Sequence, residues 1–474
     1  MKLAFFSPLN PIQSGISDYS EELLSALWQA RVGGRATDVD LFIDKGYRPA
    51  SRELAGKFDV LAASGFGRVA AQYDGIVYQM GNSPAHAYIY EALLRYPGVV
   101  VMHEFILHHL RIWMALNGGK RREYMALMET RYGKEGREAA QRVLLGQFPE
   151  ALFKYPLSDE AIGAAKGVIV HSKYMEGLVR GVRADVPVGV VPMGVPLPPR
   201  IPKDVARARL GIDPEMFLIT SVGHLNPYKR VSATLRAFKA LLMEVPNSLY
   251  LLVGSKSPNY DPTRQIEMLE LSDKVKTTGY VSADDLAYYL AASDLCLNLR
   301  WPTAGETSAS LLRIMGVGVP VLVSRTGSFE ELPDDAAGKI DVGEIEEELL
   351  LEYLLLLARR PDVREAMSQA ARRYVAEHHT LEGAARGYLE FLVRTSGGQS
   401  GVEIEVPVLP QPLPPVTTSA AKPKAAIQTP RIERHEDDPI AILAQAAAEL
   451  GIRDTDSVSL AGVAEAVREI IPEL

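Results

Sequence analysis

Short apolar runs alternate with stretches of helical spacing along most of the chain. In the first half the runs are LAFFS (Leu3 to Ser7), VDLFI (Val39 to Ile43), GIVYQ (Gly75 to Gln79), VVVMH (Val99 to His103), GVIVH (Gly167 to His171) and VGVVP (Val188 to Pro192). Several are apolar at every position, so both faces need cover; that predicts strands of a parallel sheet buried between helices. Between them, SDYSEELLSALWQA carries helical spacing, with Ser17 or Asp18 as the expected N-cap. After a Pro-rich joint, VPMGVPLPPRIPKD (Val191 to Asp204), the alternation restarts with FLITSVG, SLYLLVG, KVKTTGY, DLCLNL and VPVLVS. Two such series predict an α/β fold of two doubly wound domains, residues 1–195 and 196–395, with the last helix of the second able to cross back to the first. Ligands of such sheets bind at the carboxyl ends of the strands, so the cleft between the domains is the expected site.

Past residue 395 the pattern stops. Residues 396–432 are rich in Pro, Ala, Ser and Thr and predict a flexible linker. Residues 433–474 then offer two short helices, the first signed by Asp438, Pro439 and Gly451, the second with Leu460, Val463, Val467 and Ile470 on one face. Two short helices bury little alone, which predicts an element for self-association or for docking a protein partner.

Composition changes this picture only by exclusion. The chain of 474 residues is 47% hydrophobic and 23% charged, enough to build both cores, and its net charge of −8 argues against a nucleic-acid partner. The single cysteine, Cys296, lies in an apolar strand and reads as a small buried hydrophobe, in keeping with a reducing cytoplasm. No segment approaches the ~20 apolar residues needed to span a membrane; ELLLEYLLLLARR reads as an amphipathic core helix. The stretch RIWMALNGGKRREYMALMETRYGKEGREAAQRVL is rich in Lys and Arg, with Trp113, Met114 and Met125 interleaved. It suits either a solvated helical insertion or peripheral contact with an anionic membrane at its inner face.

Chemistry-bearing residues gather in four loops that follow strands. In SPLNPIQSGISDYS, Gly15 and the next helix start present backbone N–H groups to an anion, or form a plain turn. In MHEFILHHL, His103 and Glu104 end an apolar strand, and the spacing of His103 to His108 is not that of two metal ligands on one helix face. In SVGHLNPYKR, His224, Lys229 and Arg230 precede a helix, where cations oppose the dipole and call for a compensating anion or solvent. In WPTAGETSASLLRIMGVGVP, Glu306, Thr307 and Ser308 stand at a helix N-terminus, suited to hydroxyl and anion contacts; Thr303 and Glu306 also have the spacing of a capping box.

The order GHLNPYKR, VGSKSPNY, VKTTGYVSADDLAYYLAASDLCLNL, LLRIMGVGVPVLVS, GSFEELPD resembles the retaining glycosyltransferases of family 4, over about Met1 to Leu392. The resemblance implies two Rossmann-like domains facing a cleft (the GT-B fold), with the acceptor on the first and a UDP- or GDP-linked sugar on the second. It implies Lys229 on the donor phosphates, with Arg230 beside it and His224 where the family has Arg. It implies His103 and Glu306 on the transferred sugar, and Ser14, Gly15, Thr307, Ser308 and Glu331 around the donor. The family's second motif glutamate falls on Arg313, and the first on Gly305, one residue before Glu306. Arg313 therefore pairs with Glu330, Glu331 or a donor phosphate. The implied reaction needs no cofactor or metal: the sugar passes to a hydroxyl of a glycan or lipid-linked acceptor with retention, by front-face attack in which the leaving phosphate helps take the proton. Two alternatives stand beside it: a nucleotide-sugar epimerase, which needs acid/base carboxylates such as Glu104 and Glu91, and a catalytically silent glycan- or partner-binding protein.

Overall fold

Strand β1 (Lys2–Phe6) opens the chain, followed by β2 (Arg31–Val32), β3 (Arg35–Ala36), β4 (Asp38–Ile43), β5 (Asp59–Ala62), β6 (Gly75–Met80), β7 (Val99–Met102), β8 (Gly167–Val170) and β9 (Val188–Val190) in the computed structural model. The structure describes residues 1–408 except 13, 148–149, 258–259 and 398–400. Seven of these strands form a sheet of order β5-β4-β1-β6-β7-β8-β9, every neighbouring pair parallel. A second parallel sheet has the order β12-β11-β10-β13-β14-β15. Its strands are β10 (Phe217–Val222), β11 (Ser248–Val253), β12 (Val275–Gly279), β13 (Leu295–Asn298), β14 (Val321–Ser324) and β15 (Gly338–Ile340). β7, β8, β11, β13 and β14 are buried at every position, as continuous apolar runs require.

Two doubly wound sheets are thus present. The strand order reverses beside β1 and beside β10, and the carboxyl ends there open onto a common cleft. Cys296 is fully buried in β13 as expected, and burial pushes its thiol up to about 12.

The helices around the sheets include α1 (Gly15–Gln29) and α2 (His108–Asn117), which both reach the cleft, and α3 (Arg121–Leu144, broken at Gly133), α4 (Lys173–Val182) and α5 (Val231–Glu244). They are followed by α6 (Ala309–Val317), α7 (Glu346–Arg359), α8 (Pro361–His378) and α9 (Leu381–Thr395). α1 starts earlier than its spacing suggested. Ser14, not Ser17 or Asp18, is the cap: its backbone is extended and its Oγ accepts the Ile16 N–H at 3.1 Å, while Ser17 is buried inside the helix.

α9 does cross back. It packs on α1 and β8, and the Tyr388 and Tyr19 hydroxyls meet at 3.1 Å in the buried interior. The two chain crossings between the sheets touch each other: Val195 N–H donates to the His379 carbonyl at 2.9 Å, and the His379 ring bonds the Met193 carbonyl at 2.9 Å. Gly194 is needed there, because a Cβ would stand 2.6 Å from the Thr380 carbonyl oxygen.

The expected linker does not begin as one. β16 (Ile404–Glu405) pairs antiparallel with β2, Ile404 and Val406 are buried, and Arg386 bonds the Ile404 carbonyl. A bare linker from 396 is corrected accordingly: residues 401–408 cover an edge that the β2–β3 hairpin would otherwise leave open. The rest of that linker and the helical element of 433–474 lie outside the described residues.

Candidate active site

The cleft has a volume of about 640 Å³ and draws its lining from the carboxyl ends of β1, β6, β7, β10 and β13. Of the residues singled out in the sequence, Ser14, Gly15, His103, His224, Lys229, Glu306, Thr307 and Ser308 all line it.

Lys229 ends a short turn, Pro227–Lys229, whose start is fixed by Asn226 Oδ1 accepting the Tyr228 N–H at 3.1 Å. The turn folds the lysine back over the end of β10, with Nζ 3.5 Å from the Val222 carbonyl. Gly223, at φ +108°, lets the chain turn beneath it, and a Cβ there would meet Nζ at 3.4 Å. Loss of hydration and then the nearby Arg300 bring the Lys229 ammonium down to about 7, against the pull of Glu306.

Arg300, the residue two past β13, is ion-paired to Glu306 and donates to Ser308 Oγ at 3.0 Å. Glu306 Oε2 also accepts from the Ala304 N–H at 2.8 Å and from Thr303 Oγ at 3.1 Å. Although burial opposes it, Arg300 holds the Glu306 carboxyl below the ordinary range. α6 is capped by Ser308, whose Oγ accepts the Leu311 N–H, so the Thr303–Glu306 spacing is a loop brace and not the helix cap. Two buried polar atoms here, Thr307 Oγ1 and Arg300 Nε, have no hydrogen-bond partner among the described residues. Buried polar groups of that kind are usually paired, which makes them candidate ligand contacts.

On the facing wall His103 Nε2 meets Gln79 Oε1 at 2.7 Å, which places the ring proton on Nε2 and leaves Nδ1 as an acceptor. Burial, with His171 at 5.0 Å between ring centres, keeps the ring neutral. His224 stands exposed at the rim, with Nδ1 at 2.9 Å from Ser255 Oγ. His108 is buried away from the cleft against Tyr124 (2.6 Å), whereas His109 lines it and bonds Asn82.

Three expected donor contacts are elsewhere. Arg230, the left-handed residue before α5, is held by both oxygens of Glu346 at the start of α7. Arg313 meets neither Glu330 nor Glu331: its Nη2 lies 2.7 and 2.9 Å from the two oxygens of Glu22 on α1, in the other domain. Glu331 accepts the backbone N–H groups of Lys173 (3.0 Å) and Tyr174 (2.6 Å), capping α4 across the domain boundary. Each answers a local electrostatic need: the buried Glu346, the half-buried Glu22, or a helix N-terminus. Arg300, Asn82 and His86 are among the cleft residues not singled out in the sequence. The available signal for Arg300 was its charge two residues past a fully buried strand.

Two parallel sheets with a cleft at their facing carboxyl ends define the GT-B glycosyltransferase fold. Within it, residues 202–374 match the family described as glycosyl transferases group 1. The chain is 26% identical over 207 residues to the alpha-monoglucosyldiacylglycerol synthase of Streptococcus pneumoniae, covering 42% of this chain and 46% of that protein. It is 29% identical over 196 residues to the D-inositol 3-phosphate glycosyltransferase of Rhodococcus opacus, covering 40% and 43%. It thus spans less than half the length of these curated relatives. In fold it is similar to Anabaena Alr3699/HepE in complex with UDP (TM-score 0.59, 16% identity, 83% of this chain and 99% of that one). It is likewise similar to sucrose-phosphate synthase from Thermosynechococcus elongatus (TM-score 0.58, 17% identity, 83% and 98%).

Proposed function

We propose that this protein transfers a hexose from a UDP- or GDP-linked donor to the hydroxyl of a glycan or lipid-linked acceptor, with retention at the anomeric carbon. The observation that carries this reading is the convergence of Lys229, Arg300 and the capped start of α6 on one wall of the cleft. Breaking the glycosidic bond leaves negative charge on the diphosphate, and fixed cations with a helix N-terminus stabilise charge that develops there. His103 Nδ1 and the remaining lone pairs of Glu306 serve the sugar hydroxyls, Thr307 Oγ1 and Ser308 the donor phosphates, and Ser14, Gly15 and His224 the rim of the donor site. In this reading residues 1–195 bind the acceptor and 196–395 the donor.

The epimerase alternative loses one of its two carboxylates, because Glu91 faces solvent on the helix after β6 and does not line the cleft. A lipid-linked acceptor accords with the name of the Streptococcus relative and with the α2–α3 region, which exposes Leu116, Leu145, Arg121 and Arg122. We place the protein in the cytoplasm with peripheral contact at the inner membrane face; among the described residues no helix is long and apolar enough to cross a membrane. The test is release of nucleoside diphosphate from a panel of UDP- and GDP-hexoses, with and without diacylglycerol-containing vesicles or soluble glycans, and NMR of the product's anomeric configuration. No release from any donor, together with no binding of UDP or GDP, would refute the transferase reading and favour the silent alternative.

A further inference from the structure

Two carboxylates face each other in the cleft, and they are placed very differently. Glu306 is committed to its own loop: Arg300 holds Oε1, and Thr303 and Ala304 hold Oε2. Glu104, from the opposite domain, is held at one atom only. Its Oε1 accepts the Asn82 N–H at 2.8 Å, while Oε2 has no hydrogen bond among the described residues.

The Glu104 loop is nevertheless fixed. His103 N–H donates to the Met80 carbonyl at 3.2 Å, and Phe105 N–H donates to the Ala304 carbonyl of the other domain at 2.7 Å. The approach is close enough that a Cβ on Gly305 would stand 3.3 Å from Phe105 Cβ. Glu104 is therefore clamped between the two walls, with Arg300 and Glu306 across from it, Lys229 further along that wall, and His86, His103 and His109 on its own side.

We propose that Glu104 is a further catalytic residue: its open carboxylate oxygen accepts the hydrogen bond of the acceptor hydroxyl and takes its proton during transfer. The inference rests on the transferase reading above. The acceptor oxygen forms the new bond to the anomeric carbon as the bond from that carbon to the diphosphate oxygen breaks. The electron pair of the broken bond stays on the diphosphate, beside Lys229 and Arg300, and the acceptor proton moves to Glu104 Oε2. The proton then passes to the departing diphosphate, which restores the carboxylate.

The electrostatics accord with this division of work. Burial and the neighbouring Glu306 anion hold the Glu104 carboxyl up at about 7, while Arg300 keeps Glu306 ionised. Paired carboxylates driven apart in this way mark a proton carrier beside a permanent anion, and an acid near neutrality is the efficient carrier at neutral pH.

The experiment compares wild type, Glu104→Gln and Glu104→Asp on whichever UDP- or GDP-hexose and acceptor the wild type turns over. Two rates and one affinity are followed: the rates of transfer and of donor hydrolysis without acceptor, and the affinity for nucleoside diphosphate. A glutamine keeps an oxygen for the Asn82 N–H but takes no proton. The expected result is a fall in kcat for transfer of roughly 10²-fold, with diphosphate affinity within about two-fold of wild type, and partial recovery in Glu104→Asp. Should the glutamine variant fail to fold, Glu104→Asp carries the test through lowered transfer at unchanged diphosphate affinity. Wild-type transfer in Glu104→Gln, or a loss of diphosphate binding equal to the loss of transfer, would overturn the proposal. A wild type inert towards every donor overturns the transferase reading itself, and this proposal with it.

Discussion

Lys229 shows how far one side chain depends on its surroundings. Its ammonium is brought to about 7 from an ordinary 10.5 because it is withdrawn from water beside Arg300. Between those values the unfolded chain holds a proton that the folded chain lacks, so this group's contribution to stability rises with pH across that window. A diphosphate reverses the local balance by favouring the charged form. Donor binding should therefore take up a proton above pH 7 and weaken as the pH rises further. Calorimetry of UDP or GDP binding in buffers of different ionisation enthalpy checks this, and Lys229→Arg, which stays charged, should lose its share of the uptake. Lys229→Ala should lower turnover by roughly 10²-fold, read from the rate of diphosphate release. For Glu306→Gln the expected pattern is a larger loss of transfer than of diphosphate affinity; the reverse would move this residue from the sugar to the nucleotide.

At the scale of elements, the apolar runs located the inner strands because a strand buried on both faces leaves no other sequence signature. They missed β5, whose residues are mostly exposed, and β15, which is only three residues long. His103 and the 224–229 loop, just past apolar strands, were legible once the strands were, whereas Asn82 and Arg300 in similar places carried no motif of their own. Arg230, Arg313 and Glu331 were not legible, since their partners Glu346, Glu22 and the α4 N-terminus are distant in sequence and no spacing rule reaches them. The Arg313–Glu22 pair joins α6 to α1 with both side chains about a quarter exposed (26% and 24%). A double-mutant cycle of Arg313→Ala and Glu22→Ala, followed by urea unfolding, should give a coupling of about 1 kcal/mol at most. Arg230→Ala should cost more, about 3 kcal/mol, because Glu346 is buried and would keep an unpaired charge.

For the molecule as a whole, composition and alternation carried the two-sheet architecture but missed the strand that follows α9. Gly and Ser content just past residue 395 conceals a two-residue strand that reaches back to β2. A chain cut before Ser396 should unfold several degrees below one cut after residue 408, since it forfeits the burial of Ile404 and Val406, about 3 kcal/mol by apolar area. Thermal melts of the two truncations, with diphosphate binding as a control on the cleft, would show equal midpoints if β16 contributes nothing.

The paired crossings at Met193–Val195 and His379–Leu381 also set the freedom of one domain against the other. A single connecting segment would leave three rotational axes open. Two segments hydrogen-bonded side by side, Val195 to His379, oppose twist and shear between the domains more than one would. A methyl group at position 194 would press against the Thr380 carbonyl, at the point where the two crossings meet.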